Sequence, residues 1–404
     1  MSTPMTYRRH AASSTSSWLG VWAIALGAFA LVVTEFLPVG LLPGIVKGFG
    51  ISEGAAGLTV TATAVLGFIA APLTALLVGK IDRRLVLLAL TALVILSGIT
   101  SAVAPDFAVL VIARLILGIG VGGFWSISIT AAARLVPEHQ VAKASSLVFS
   151  GISVASVVSV PMGSYISAHY DWRVAFIVAS VLATIVFALQ VFTLPKIAMD
   201  RGTTAADFLS LLKSKKVVAI YVTIIFIVSG QFAGYTFVAP YLQQLARFQP
   251  NTITVLLLAY GVLAVFGNFL GGALAGRNLH KTVYGNVILF LGSLIALAAI
   301  PHQPVVAIVS LLAWALSWGM APVGTQLWLF EETKHAPEAA QSMNTSIFQL
   351  SISLGSLVGG LVVDHINLHA SMWAGSAIFA LAIATVLFVG RLDAAKGVAQ
   401  KSSR

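Results

Sequence analysis

The sequence predicts an all-α membrane protein with twelve transmembrane helices in two pseudo-symmetric six-helix bundles. Three observations carry that expectation. Of 404 residues, 58% are hydrophobic and only 9% charged, where a soluble domain carries about 25% charged residues. The mean hydropathy is +0.98. The apolar residues gather into runs that each approach the roughly 20 residues needed to cross a bilayer core, and one polar stretch divides the runs six and six.

In chain order, the runs fall at about 18–42, 54–78, 85–104, 107–133, 144–167 and 172–194, then 217–243, 252–275, 283–300, 304–330, 340–363 and 369–390. The stretch 195–216 is the polar linker, with Lys196, Asp200, Arg201, Asp207, Lys213, Lys215 and Lys216. The bundles therefore span 18–194 and 217–390, flanked by tails 1–17 and 391–404. The first tail carries Arg8 and Arg9, but the apolar run after it exceeds a signal-peptide core, and the pair fits a twin-arginine signal poorly. Lysine and arginine collect on one side: in both tails, at Lys80, Arg83 and Arg84, at Arg134 and Lys143, in the linker, at Arg277 and Lys281, and at Lys334. Only Lys47, Arg173 and Arg247 fall in the other loops. Positive residues mark the cytoplasmic side, so both termini are expected inside, in a bacterial inner membrane. The same placement accounts for the net charge of +10 without a nucleic-acid partner.

The two halves echo each other. Pro137-Glu138 and Pro337-Glu338 each follow the fourth run of their half, and Asp82-Arg83-Arg84 after the second run is echoed by Gly276-Arg277 after the eighth. Parallel six-span halves are a known transporter repeat.

Inside the spans the charges are few. Arg114 opens the stretch Arg114-Leu-Ile-Leu-Gly118-Ile-Gly120-Val-Gly122-Gly123, in which Gly118 and Gly122 have the spacing that lets helices approach closely. A charge near the bilayer centre costs about 2.5–3.5 kcal/mol on insertion scales and marks a functional site by default. Glu35 is the obvious carboxylate. It lies roughly 25 Å along the first helix and Arg114 roughly 12 Å down the fourth, so a direct or water-bridged pair is expected. Such a pair either couples proton movement or locks the two helices together. The absence of cysteine excludes disulfides and thiolate chemistry. Neither a metal-binding H-E-x-x-H pattern nor a P-loop is present, so no enzyme, metal or cofactor is expected.

Several motifs resemble those of the major facilitator superfamily, in its twelve-span drug:proton antiporter group. Gly79-Lys-Ile-Asp82-Arg83-Arg84 is similar to the family's loop between spans two and three, with its first glycine displaced by one residue and its later glycine missing. Arg114 to Gly123 matches the span-four motif. Ser159-Val-Pro161-Met-Gly163 is a reduced form of the span-five antiporter motif, with Val160 where glycine is usual. Within the group, Glu35-Phe-Leu-Pro38-Val-Gly-Leu-Leu, Gly122-Gly-Phe-Trp125-Ser-Ile-Ser and Gly230-Gln231-Phe-Ala-Gly-Tyr235 resemble bacterial exporters of purine ribonucleosides and, more distantly, of sugars.

The resemblance implies the major facilitator fold and export of a small neutral polar solute by proton antiport with alternating access, a purine ribonucleoside being the best match. Sugar export, multidrug efflux, an uncoupled uniporter or channel, and a receptor without flux are the alternatives. Glu35 and Arg114 would couple the proton. Asp82, Arg83 and Arg84 would pair with helix ends and with the loop after span four as a gate. Gly118, Gly122, Pro161 and Gly163 would serve close packing and bending. Substrate contacts are expected among polar and aromatic residues inside the spans: Trp125, Ser126, Gln231, Tyr235, Asn268, Gln326, Trp328, Asn344 and Gln349. Amides and hydroxyls can bond a ribose or a base edge, and aromatic rings can stack on a base. Protons and the lipid bilayer complete the expected partners, with the protein acting as a monomer.

Overall fold

A computed structural model describes residues 17–198, 203–333 and 337–402, without the side chains of 278–280, 322–324, 326–328, 330–331, 337–338 and 389–402. The described chain has twelve helices long and apolar enough to cross a membrane, and it is a multi-pass membrane protein. The first bundle holds α1 (Trp18–Phe49), α2 (Glu53–Leu77), α3 (Arg83–Ala102), α4 (Phe107–Arg134), α5 (Val141–His169) and α6 (Trp172–Thr193). A short α7 (Ala205–Leu212) lies in the linker. The second bundle holds α8 (Lys215–Tyr235), α9 (Val238–Gln244), α10 (Pro250–Ala299), α11 (Pro304–Glu332), α12 (Pro337–His365) and α13 (Ala370–Ser402).

Helix starts follow local chemistry. The side chains of Ser17, Ser52, Asp82, Asp106, Asp171 and Ser214 each accept from a backbone N–H in the first turn of the following helix. Thr204 and Asp207 form a reciprocal capping box at α7. Linker residues 205–212 were expected as plain polar chain. They are helical because Phe208 and Leu211 share one face and bury it. Gly50, at φ 64°, takes the left-handed conformation that ends α1. That end lies seven residues beyond the expected boundary at 42, because Pro38 and Pro43 are accommodated inside the helix.

The eighth and ninth spans form one continuous helical stretch from Pro250 to Ala299, where a loop near 276–282 was expected. The chain nevertheless reverses. Tyr260 and Phe290 would stand about 45 Å apart on a straight helix, yet their rings lie 5.8 and 6.2 Å from the same Trp314 ring. The seventh span, expected as one run to 243, is interrupted at Thr236–Phe237 between α8 and α9. Pro240 has no N–H for the carbonyl four residues back.

Within each bundle, small residues set the packing distance. A Cβ added at Gly118 or Gly122 of α4 would stand 2.3 Å from the Thr63 or Gly67 carbonyl oxygen of α2, so only glycine permits this approach. Gly163 of α5 meets Leu37 and Gly40 of α1 in the same way, and α5 stays helical through Pro161.

The bundles meet along two seams. α2 and α12 touch over most of their length, and α5 meets α10 at Ser164–Thr254 and at Val157–Gly261. Among the described residues, further bonds join the bundles on the face away from the termini. There Asp364 of α12 accepts from Ser52 Oγ at 2.8 Å and from the Gly54 N–H at 2.9 Å, and Gln244 donates to Glu53.

Candidate transport site

Pro38 leaves the Thr34 carbonyl without its helical donor, and Arg114 supplies one. Its guanidinium donates to the carbonyl oxygens of Thr34 at 2.9 Å, Glu35 at 2.8 Å and Thr59 at 3.1 Å. The side chain is fully buried, with its charge 5.9 Å from the Phe176 ring centre. One arginine thus fastens α4 to α1 and α2 through main-chain atoms.

The expected Glu35–Arg114 pair is not a direct ion pair: among the described residues no salt bridge joins the two side chains, and three of the five guanidinium N–H donors go to carbonyls. The Glu35 carboxylate turns instead to the second bundle and accepts from Gln349 Nε2 of α12 at 2.9 Å. Glu35 and Gln349 are 5% and 4% exposed, so this is a buried bond across the seam.

The seam nearby is built from serines. Ser346 donates to the Phe68 carbonyl at 2.8 Å, Ser342 to the Ala71 carbonyl at 3.0 Å, and Ser356 to the Gly57 carbonyl at 3.2 Å. Phe68 is four residues before Pro72, so its carbonyl is another one released by proline. Positions 342, 346, 349 and 356 recur at the spacing of one helix face. That polar stripe in an apolar span is a legible sequence signal, and of its members only Gln349 was expected to be functional.

Within the second bundle, a small cleft of about 20 Å³ is lined by Ile227 of α8, Trp318, Ala321 and Thr325 of α11, and Asn344 and Phe348 of α12, among others. The Trp318 and Phe348 rings lie 6.4 Å apart at 41°. Among its described lining residues none is charged. Of the expected substrate contacts whose side chains are described, Asn344 alone lines this cleft. Trp318, Phe348 and Thr325 were not singled out, because an aromatic at helical spacing reads equally well as core.

Several expected contacts are already committed to packing. Gln231 is fully buried, donates to Tyr260 Oη at 2.9 Å and accepts from Trp314 Nε1 at 2.6 Å. Tyr235 stacks on Tyr260 at 4.9 Å. Ser126 donates to the carbonyls of Ala71 and Gly122, both at 2.8 Å. Trp125 packs in the first bundle's core against Phe124. Asn268 is exposed on α10. Gln326 and Trp328 lie outside the residues whose side chains are described.

The expected gate residues are tied within the first bundle. Asp82 caps α3 through the Arg84 N–H at 2.9 Å and accepts from the Ile197 N–H at 2.8 Å. Arg84 donates to the Val191 carbonyl at 2.7 Å, and the Arg83 N–H to the Ile197 carbonyl at 3.0 Å. Asp82 and Arg84 are therefore held by a helix end, that of α6, as expected, and by the start of the linker. Arg83 is buried.

Two helical bundles with a buried carboxylate at their seam, and an uncharged cavity within the second bundle, are an arrangement that suits a membrane transporter. The sequence profile of the Major Facilitator Superfamily matches residues 24–340, and the chain belongs to that family. It is 32% identical over 388 residues to the transcription regulatory protein OpdE of Pseudomonas aeruginosa, covering 95% of this chain and 96% of that one. It is 30% identical over 356 residues to the purine ribonucleoside efflux pump NepI of Escherichia coli strain K12, covering 88% and 90%. The solved structure of a bacterial homolog of the human lysosomal transporter Spinster shares the fold, with a TM-score of 0.74, 14% identity, and coverage of 93% of this chain and 97% of that one.

Proposed function

We propose that this transporter exports a small neutral polar solute, best a purine ribonucleoside, in exchange for protons entering the cell, with no cofactor. The observation that carries the proposal is Glu35, a carboxylate buried where the two bundles meet. A carboxylate at such a seam meets different surroundings as the bundles rock, and can therefore load a proton on one side and release it on the other. One charge crossing 100 mV yields about 2.3 kcal/mol, enough for a roughly 50-fold solute gradient.

The lining of the cleft supports the substrate class. Trp318 and Phe348 offer faces to a planar base, Asn344 offers an amide to its edge, and an ionic solute would find no counter-charge among the described lining residues. The similarity to NepI points the same way. Positive-inside placement of lysine and arginine puts both termini in the cytoplasm. The face that carries the Asp364 and Gln244 bonds would then be the outer one.

The test uses everted membrane vesicles with an imposed proton gradient and radiolabelled inosine. Uptake accompanied by proton release is expected in the wild type. Glu35→Gln is expected to abolish accumulation above equilibrium, a loss of up to about 50-fold in gradient. Flux that ignores the gradient and survives Glu35→Gln would leave an uncoupled uniporter. The similarity to OpdE favours a second reading, a membrane sensor acting on transcription. That reading requires inosine binding without inosine flux.

A further inference from the structure

We propose that Gln349 is a positioning residue for proton coupling: from the second bundle it holds and reads the carboxylate of Glu35 in the first. This rests on the proton-coupled reading above. Three observations carry it. The Gln349 amide spends its Nε2 on the Glu35 carboxylate at 2.9 Å, across the seam. Its Oε1 is buried with no hydrogen-bond partner among the described residues. Gly67 of α2 makes room for it, since a Cβ there would stand 3.0 Å from Gln349 Cγ and 3.2 Å from Oε1.

An amide has a donor end and an acceptor end. The carboxylate form of Glu35 accepts from Nε2, as observed. After a proton adds to the carboxylate, its new O–H has a buried acceptor in Oε1, reached by turning the amide over. Release of the proton to water restores the observed bond. A hydrogen bond to an ionised group is roughly twice as strong as a neutral one, so α12 is held more tightly to α1 by the carboxylate than by the acid. Arg114 contributes by holding the Glu35 backbone. It is the charged group that acts on Glu35, while three of its own donors are held by carbonyls. Gln349 was expected to bind substrate; the structure gives its amide to Glu35.

The experiment separates coupling from substrate binding. Purified protein in liposomes would be assayed for gradient-driven inosine accumulation with a pH-sensitive dye, and for inosine–inosine counterflow, which needs no net proton movement. In Gln349→Ala, accumulation is expected to fall at least about tenfold, as for loss of a charge-assisted hydrogen bond, while counterflow persists. Parallel loss of both, with a raised KM, would make Gln349 a substrate ligand and overturn the inference. Unchanged accumulation would overturn it equally. Gly67→Ala retains both polar groups and displaces the amide, so it should reduce accumulation over counterflow in the same sense. It decides the matter if Gln349→Ala fails to reach the membrane. Failure of the transport reading itself would show in the wild type, and failure of this inference only in the variants.

Discussion

Gln231 and Asn344 are both amides inside apolar helices, yet they differ in the hydrogen-bonding capacity they have left. Gln231 is locked between Tyr260 and Trp314, whereas Asn344 is half-buried on the wall of the cleft. Gln231→Leu would leave a buried hydroxyl and an indole N–H unpaired and is expected to cost about 2 kcal/mol. A thermal melt in detergent should register that loss while the KM for inosine stays near the wild-type value. Asn344→Ala should do the reverse, raising KM about tenfold with little change in melting, as for removal of one ligand hydrogen bond. Sequence could nominate both residues but not tell them apart. Their partners come from helices far away in the chain, and polarity within a span marks interhelical bonds and ligand contacts alike.

At the scale of an element, α1 shows how proline and arginine act together. Pro38 frees a carbonyl, Arg114 caps it along with two others, and the helix runs on through both prolines to Phe49. Arg114→Ala would orphan the buried Thr34 carbonyl and remove a charged donor from those of Glu35 and Thr59, for an expected loss of about 3 kcal/mol. Arg114→Lys should recover only part of it, because a single ammonium lacks the planar fork that reaches two helices at once. If Arg114→Lys melted like the wild type, charge alone would account for the residue. The motif around Arg114 was legible, and so was its close packing through Gly118 and Gly122. Its use of backbone carbonyls was not, because main-chain acceptors leave no mark in the sequence.

At the scale of the whole molecule, the contact of Asp364 with the first turn of α2 closes one face. A carboxylate at a helix N-terminus is favoured by the partial positive charge there, so this contact stabilises one arrangement of the bundles over another. The absence of native cysteine makes a direct test simple. Ser52→Cys combined with Asp364→Cys should be joined by a short bifunctional thiol reagent, stopping inosine flux, and a reducible version of the reagent should allow recovery with dithiothreitol. Efficient cross-linking without loss of flux would mean that this face does not open during transport.

The sequence by itself determined the membrane solvent, the number of spans, their division by a linker and most of the span starts to within a few residues. All of these arise from local quantities: the length of apolar runs, capping residues and charge placement. The glycines that allow close approach were also visible as spacings. Only the tertiary structure decided where the two intramembrane charges spend their hydrogen bonds. Glu35 and Arg114 were legible as the pair that matters, yet one faces Gln349 across the seam and the other grips carbonyls. Several donors and acceptors from distant helices compete for the same buried groups, and the outcome depends on which of them packing brings within about 3 Å.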